Sequence, residues 1–227
     1  MDSLIHILHL EDDLADAELA RELLESAGLV CQITRVQTGD EIREALSQDG
    51  YDLILADFRL PGYDGMSALR LVQEMGLDIP FIFVSGTMGE DAAIEGLREG
   101  ATDYVLKQKL SRLVPAVKRA LSEAENRRER QRAERSLATQ FQFLQLLLDT
   151  IPSPIFYKDI NGIYLGCNQS LAEFLGRPKD EIIGKTVFDI YPKERAGKYY
   201  QMDQELFETP GAQVYEFLME RADGAIR

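Results

Sequence analysis

Cysteine is scarce in this chain of 227 residues, which contains only Cys31 and Cys167. Two cysteines so far apart do not predict a disulfide framework, and they fit a reducing compartment. The N-terminus lacks the basic region and the small-residue cleavage site of a signal peptide. No apolar run approaches the roughly 20 residues that a membrane-spanning helix needs. We therefore expect a cytoplasmic protein that has no membrane partner.

Basic residues are outnumbered, because 39 aspartates and glutamates face 25 lysines and arginines and give a net charge of -14. Such an acidic chain repels the phosphate backbone of nucleic acids, so we expect no nucleic-acid partner. The acidic excess is concentrated in residues 1–121, whereas the remainder is more nearly balanced. This shift predicts two modules, and the chain is long enough to give them cores.

Short apolar runs alternate with amphipathic segments through the first 121 residues. The runs are apolar throughout, which predicts strands that are buried on both faces, as in a parallel sheet. Gly28 and Gly100 stand where two of the helices are expected to end. The alternation predicts an α/β fold with a five-stranded doubly wound parallel sheet. The predicted strands are 4–10, 30–35, 52–57, 79–84 and 103–106, and the predicted helices are 15–26, 40–47, 65–75 and 91–99.

Polar side chains stand at the ends of four predicted strands. Glu11 and Asp12 follow the first strand, and Asp57 ends the third. Ser85 follows the fourth and Lys107 the fifth. The carboxyl ends of strands in such a sheet meet at one crevice, so we expect these side chains to lie together. Carboxylates, a hydroxyl and an ammonium suit a phosphoryl-transfer site in which Mg²⁺ offsets the repulsion between anions.

This set of residues, with Tyr104 on the fifth strand, resembles the receiver domain of bacterial two-component response regulators, which has a flavodoxin-like fold. The resemblance extends over residues 1 to about 121, which we take as one domain. It implies that Asp57 accepts a phosphoryl group from a histidine kinase or a phosphotransfer protein. It also implies that Glu11, Asp12, Asp57 and the backbone carbonyl of Arg59 bind Mg²⁺.

The resemblance assigns the remaining polar residues to the phosphoryl group. Lys107 would supply a positive charge to its oxygens, and Ser85 would supply a hydroxyl donor. Movement of Ser85 onto these oxygens would vacate space for Tyr104, which makes the pair a two-state switch. Gln108 departs from the family pattern, because members usually carry proline directly after the lysine.

Two other functions remain open at this point. A degenerate receiver would bind partners without phosphorylation; Gln108 leaves this alternative open, whereas the acidic cluster, Ser85 and Lys107 disfavour it. Hydrolases with an aspartyl-phosphate intermediate use a similar sheet, but an acid stands two residues after their nucleophile. Arg59 occupies that position here, which disfavours a hydrolase.

Each of these residues also has a purely structural alternative. Aspartate at a strand end is often a turn residue, and Tyr104 could simply pack in the core. Acidic residues after the first strand could also stabilise the positive N-terminal end of the following helix. We assign that duty to Asp13, with Asp16 three residues later completing a capping-like pair.

The segment from Leu110 to Thr150 contains one proline, Pro115, and no glycine. It therefore predicts a single long helix. Apolar residues recur at spacings of four and three in 113–124 and again in 137–151, on either side of a polar segment. The second stretch is three residues out of heptad phase with the first, as in a coiled-coil stammer. We predict a homodimer through the 110–150 helix, with a solvated connector as the alternative.

Residues from about 140 onward resemble a PAS sensor domain. The resemblance rests on the segment 148–152, on the hairpin turn Asn161-Gly162 and on Asn168, which opens a predicted helix. It implies a partial α+β domain at 151–227. The expected elements are strands at 155–160, 163–167 and 213–221, a second hairpin turn at Asp223-Gly224, and helices at 169–175 and 179–183.

The sequence stops just after that second turn, so we expect that it is part of a longer protein. A histidine kinase or a cyclic-dinucleotide enzyme would fit as the output module. No enzymatic core is assigned to these residues, because no glycine-rich nucleotide loop is present. His6 and His9 lie on the first predicted strand, where neither can be the helical phospho-donor of a kinase.

The second module shows no sign of a bound cofactor. No histidine follows His9, so a haem ligand is missing. Cys167 precedes Asn168, whereas the reactive cysteine of flavin photoreceptors follows an asparagine. We therefore expect Cys167 to be structural, and the module to be a ligand-free or small-metabolite sensor or a dimerisation element.

Overall fold

The computed structural model describes residues 4–48, 50–86, 90–209 and 211–212. Its N-terminal part contains a parallel sheet in the order β2-β1-β3-β6-β7. This arrangement confirms the predicted doubly wound sheet. The strands of this part are β1 (Ile5–Leu10), β2 (Cys31–Val36), β3 (Leu53–Ala56), β4 (Arg59–Leu60), β5 (Tyr63–Asp64), β6 (Phe81–Ser85) and β7 (Asp103–Leu106).

Helices flank the sheet on both faces. Gly28 and Gly100 have φ angles of 79° and 104° just beyond two helix ends, where glycine avoids the strain of a left-handed residue. The helix bounds agree with the predictions to within one residue through the first four helices. These helices are α1 (Leu14–Ser26), α2 (Gly39–Leu46), α3 (Gly65–Glu74) and α4 (Glu90–Arg98), followed by a 3₁₀ helix (Lys107–Arg112) and α5 (Leu113–Thr150).

The apolar strands are buried on both faces, which explains why their sequences do not alternate. Leu8 and Ile54 belong to a core cluster with side chains of α2 and α3. Ile7 and Leu55 point to the opposite face and pack in a second cluster with side chains of α1 and α5. Burial on both faces holds the central strands in a fixed register, and this register aligns their carboxyl ends.

Two local features differ from the predicted pattern. The long helix α5 starts at Leu113 rather than at residue 110, because a 3₁₀ helix occupies Lys107–Arg112. The predicted turn after Asp57 is a small hairpin in which Arg59 pairs with Asp64. Gly62 has a φ angle of 80° at its tip, a conformation that favours glycine.

The long helix α5 extends through 38 residues, as its lack of glycine predicted. The chain divides into two compact units, Met1–Arg132 and Ala133–Arg227. In the first unit, Leu113, Val117 and Ala124 are buried along one face of α5. In the second unit, apolar side chains of α5 are exposed to solvent, with Leu137 at 68% and Phe141 at 60%. Among the described residues, none of the helices combines the length and apolarity that a membrane span requires.

A hairpin follows α5 in the second unit, as the Asn161-Gly162 pair predicted, but its connection spans residues 159–163 rather than two residues. Gly162 adopts a φ angle of 78°, and Asp159 exchanges backbone hydrogen bonds with residues 162 and 163. The unit contains β8 (Phe156–Lys158), β9 (Tyr164–Cys167), α6 (Gln169–Leu175), α7 (Lys179–Ile182), α8 (Val187–Ile190) and α9 (Lys193–Glu208). The last two helices were not predicted. The predicted strand at 213–221 and the turn at Asp223-Gly224 lie outside the described residues.

Candidate functional site

The carboxyl ends of β1 and β3 bring three carboxylates together. The strands are parallel neighbours in which Leu10 pairs with Ala56, so the residues that follow them lie side by side. The backbone N–H of Asp57 donates to the carbonyl oxygen of Leu10 at 2.8 Å, which extends this alignment by one residue. Glu11, Asp12 and Asp57 each place one carboxylate oxygen within 4.8 Å of the others. The predicted acidic residues are therefore adjacent.

Burial differs strongly among these three acids. Glu11 is 1% exposed and Asp57 is 8% exposed, whereas Asp12 is open to solvent. Burial raises the pKa of the Glu11 carboxyl, because loss of water disfavours the charged form. Hydrogen bonds from Lys107 and from the backbone of Asp13 oppose this rise. Three crowded carboxylates of this kind suit a hard cation such as Mg²⁺, which prefers oxygen ligands.

Lys107 is the cation that the structure places against this acidic group. Its Nζ lies 2.7 Å from Asp57 Oδ2, 2.8 Å from Glu11 Oε2 and 2.6 Å from Asp16 Oδ2. Burial favours loss of the proton, but hydrogen bonds to Asp16, Asp57 and Glu11 outweigh it and raise the pKa of Lys107. The ammonium therefore stays charged throughout the physiological pH range.

Asp16 is the residue of this site that sequence analysis missed. Asp13 caps α1 as predicted, since its Oδ1 accepts the backbone N–H groups of Ala15 and Asp16 at 2.7 and 3.4 Å. The carboxylate of Asp16 does not complete a capping pair and instead contacts Lys107. An acid in the first turn of a helix has a local explanation, so its partner 91 residues away leaves no local signal.

Ser85 and Tyr104 lie on the neighbouring strands of the same sheet. Ala56 pairs with Phe83, so Ser85 reaches the same edge as Asp57. Ser85 is 2% exposed. It pairs in the sheet with Leu106, the residue directly before Lys107. Tyr104 is half-buried and packs against the core cluster of α2 and α3. The positions suit a switch pair, while their movement stays a prediction.

The loop after Asp57 is held close to the carboxylate. The backbone N–H of Arg59 donates to Asp57 Oδ1 at 3.2 Å. A Cβ atom on Gly65 would lie 2.5 Å from the backbone oxygen of Asp57 and 2.8 Å from the ring of Phe83. Only glycine fits this close approach, which fixes the start of α3 against the end of β3.

His9 lies on β1, two residues before Glu11. The residue is 1% exposed, and within the described part of the chain neither ring nitrogen has a hydrogen-bond partner. Its Nε2 lies 4.0 Å from Glu11 Oε2. Burial, with help from the nearby charge of Lys107, lowers the pKa of His9 to about 4. The imidazole is therefore neutral at pH 7.

Asn168 organises the second unit through its side chain. Its Oδ1 accepts the backbone N–H groups of Ile155 and Leu171 at 2.9 and 3.0 Å. Its Nδ2 donates to the carbonyl oxygens of Leu148, Ile151 and Ser153 at 3.1, 3.1 and 2.8 Å. Asn168 thus caps α6, as predicted, and also binds the C-terminal end of α5.

Asp149 forms a second link between α5 and the rest of this unit. Both of its carboxylate oxygens lie 2.7 Å from Lys179 Nζ, and its Oδ1 accepts the backbone N–H of Gln169 at 2.7 Å. The hydrogen bond from Lys179 is the main cause that lowers the pKa of Asp149. Gln145 donates to the carbonyl oxygen of Cys167, which is 2% exposed.

A largely buried ion pair joins β8 to α9. Lys158 Nζ is 2.6 Å from Asp203 Oδ2 and 4.5 Å from the ring centre of Tyr164. Burial raises the pKa of the Tyr164 hydroxyl, and the neighbouring Tyr191 raises it further. Sequence analysis did not predict this cluster, because its members are separated along the chain.

Two family models match the chain in succession. Residues 7–118 match the response regulator receiver domain, and residues 142–226 match the PAS fold. A receiver domain from a LuxO repressor protein of Vibrio parahaemolyticus has a similar structure, with a TM-score of 0.51 and 22% identity. That similarity covers 55% of this chain and 95% of the other, and it shows the shared fold.

Curated relatives match the N-terminal part of the chain. The DNA-binding transcriptional regulator NtrC of Escherichia coli (strain K12) is 33% identical over 113 residues, which are 49% of this chain and 24% of NtrC. The luminescence regulatory protein LuxO of Vibrio campbellii is 37% identical over 97 residues, 43% of this chain and 21% of LuxO. The matched part thus spans about a quarter of these relatives.

The fold, the order of the strand-end residues and the family models agree on one architecture. The acidic group follows β1 and β3, and Lys107 follows β7, all within the matched range 7–118. We conclude that the chain consists of a response-regulator receiver domain followed by a PAS domain, the architecture of a protein of two-component signal transduction.

Proposed function

We propose that this receiver domain accepts a phosphoryl group on Asp57 in a Mg²⁺-dependent reaction, from a histidine kinase or a phosphotransfer protein. The observation that carries the proposal is the pairing of Asp57 with Lys107 at 2.7 Å inside a group of three carboxylates. A carboxylate nucleophile needs positive charge beside it, because its phosphodonor is itself an anion. Lys107 and the Mg²⁺ that the three carboxylates would bind supply that charge.

The acidic group has the chemistry that a magnesium ion requires. Glu11, Asp12 and Asp57 offer carboxylate oxygens, and the backbone carbonyl of Arg59 is proposed as a further ligand. When bound, the ion would neutralise charge between the attacking and the transferred oxygens. Burial raises the pKa of the Glu11 carboxyl, so a cation bound beside it would favour its charged form.

The protein groups around Asp57 perform separate tasks. Lys107 holds a fixed positive charge beside the nucleophile, and its raised pKa keeps that charge in place. Ser85 stands at the end of β6, where its hydroxyl can donate to an oxygen of the new phosphoryl group. The aspartyl phosphate would carry about -1.5 to -2 charges in place of the single charge of the carboxylate. The proposed response is a shift of Ser85 that lets Tyr104 move inward.

The domain limits and the coupling between domains are part of the proposal. We place the receiver at 1–121, the helical linker at 110–150 and the partial PAS domain at 151–227. A change near β7 would reach α5 because both contribute to the core cluster that contains Val105 and Val117. The second candidate function, a scaffold that works without phosphorylation, predicts the same fold but no chemistry at Asp57.

The proposed reaction is tested by mass spectrometry after incubation with Mg²⁺ and a small phosphodonor. The wild-type chain is expected to gain one phosphoryl group, and Asp57→Asn is expected to gain none, because an amide is no nucleophile at this position. Chelation of the metal is expected to prevent the gain in the wild type as well. A wild-type chain that binds Mg²⁺ but never gains mass would favour the scaffold function.

A second variant separates metal binding from nucleophilicity in the same experiment. Asp12 is exposed, so Asp12→Asn is expected to fold normally and to lose at least about tenfold in Mg²⁺ affinity, since one ligand charge is gone. High Mg²⁺ is then expected to restore its phosphorylation. If Asp12→Asn bound Mg²⁺ as well as the wild type, the ion would not lie between these acids.

A homodimer through α5 is the proposed role of its exposed apolar residues. Phe141 and Leu144 are 60% and 58% exposed, and a helix rarely leaves such side chains in water without a partner. Light scattering is expected to give twice the chain mass of 25.6 kDa for the wild type. Phe141→Lys combined with Leu144→Lys is expected to give a monomer, because lysines on the seam repel. Gln140→Lys, an exposed polar position, is the matched control, and a monomeric wild type would contradict the dimer.

A further inference from the structure

Among the described residues, Asp16 is the one acid paired with Lys107 that lies outside the proposed metal site. The acids that can share a cation are Glu11, Asp12 and Asp57, which follow strands. Asp16 reaches the ammonium from α1, at 2.6 Å, and 39% of its side chain is exposed. The contact is thus the outermost of the three acidic contacts that Lys107 makes.

We propose that Asp16 competes with the phosphoryl group for Lys107 and thereby sets how tightly the receiver holds that group. This inference rests on the proposed function, in which Lys107 contacts the phosphoryl oxygens. An ammonium has three N–H donors, and Lys107 has carboxylate oxygens within 2.8 Å from three residues. New phosphoryl oxygens must therefore replace or share one of these acceptors.

Burial decides which acceptor gives way. The side chain of Glu11 is 1% exposed. If Glu11 lost its contact with Lys107, its carboxylate would remain buried without a cation, which costs much free energy. Asp57 carries the phosphoryl group and remains beside Lys107. Asp16 can return to water without that cost, because its side chain is partly exposed already. Release of Asp16 from Lys107 is the least costly exchange.

The released carboxylate still affects the bound group through its charge. Asp16 remains on the first turn of α1, next to Asp57, whose side-chain charge would change from about -1 to about -1.5 to -2 on phosphorylation. Two like charges in this partly solvated place repel each other. Both effects act in one direction, since competition before binding and repulsion after it each weaken the hold on a phosphoryl group.

Beryllofluoride, which stands in for a phosphoryl group on an aspartate, provides the test. Its affinity for the full chain is measured by ¹⁹F NMR at saturating Mg²⁺, for the wild type and for Asp16→Asn. Asp16→Asn is expected to bind about fivefold more tightly, the size of one partly exposed ion pair. Glu22→Gln is the matched control, because it removes the same charge from an exposed position of the same helix.

Magnesium affinity without beryllofluoride supplies a readout that a merely structural role would not produce. Loss of a nearby negative charge is expected to weaken Mg²⁺ binding slightly, while beryllofluoride binding becomes tighter. A misfolded variant would weaken both, and equal or weaker beryllofluoride binding by a folded Asp16→Asn would overturn the inference. A wild type that binds no beryllofluoride would overturn the proposed function itself, which keeps the two failures apart.

Discussion

Replacement of Asn168 with alanine is expected to lower the free energy of unfolding of the PAS unit by about 4 kcal/mol, one of the largest effects that a single residue can have. The side chain is fully buried and takes part in five hydrogen bonds. Alanine would remove this buried partner from two backbone N–H groups and three carbonyl oxygens at once.

The measurement is urea unfolding, with hydrogen exchange at the Leu171 and Ile155 amides as the local readout. Both amides donate to Asn168 Oδ1, so their protection is expected to fall together. Gln169→Ala is the matched control, because that neighbouring side chain is exposed and is expected to change stability by less than about 0.5 kcal/mol. Equal stability of the two variants would show that water replaces the lost bonds.

The position of these bonds also bears on the proposed coupling through α5. Leu148 lies in the last turn of α5 and Ile151 directly follows the helix. Neither residue has a polar side chain. Asn168 binds their carbonyl oxygens, while Asp149 binds Lys179. A rotation or shift of the helix end would strain these polar bonds, which suits the proposed role of α5 in coupling the two domains.

The sequence predicted the helix-capping role of Asn168 but not its hydrogen bonds to the end of α5. An asparagine before a helical pattern predicts an N-cap, and the bond to the Leu171 N–H confirms it. The three carbonyl partners lie 15 to 20 residues away, in a segment whose path is set by tertiary packing. Helix α9 was missed for a related reason, because the polar run Lys193–Glu208 has only one buried residue, Ala196.

The receiver was easier to predict because its physics is more local. Strands buried on both faces are continuous apolar runs, and their ends mark where polar residues must emerge. The sequence could therefore place Glu11, Asp57 and Lys107 at one edge of the sheet. It could not place Asp16 or His9, because each has an ordinary local explanation, as a residue of a first helical turn and as a strand residue.

His9 gives the second large prediction, which concerns pH. Its pKa of about 4 in the folded protein lies below the ordinary value of 6.5, so between these values the unfolded chain binds a proton that the folded protein does not. The stability contribution of neutral His9 is therefore intact above pH 6.5 and is lost as the pH falls towards 4. The total loss is about 3 kcal/mol, from the shift between the two pKa values.

The variant His9→Leu is expected to remove this loss. Free energies of unfolding are measured from pH 7 to pH 4 in the presence of a chelator, and the difference between wild type and variant isolates the histidine, because the carboxylates are common to both. At pH 7 the variant is expected to be the more stable one by about 1 kcal/mol, since neither ring nitrogen of His9 is paired within the described residues. If the free energies of unfolding of wild type and variant changed in parallel with pH, the folded protein would bind a proton at His9 as readily as the unfolded chain does. Glu11, whose Oε2 lies 4.0 Å from His9 Nε2, would then be the partner that stabilises it, and the acidic group would hold two cations rather than one.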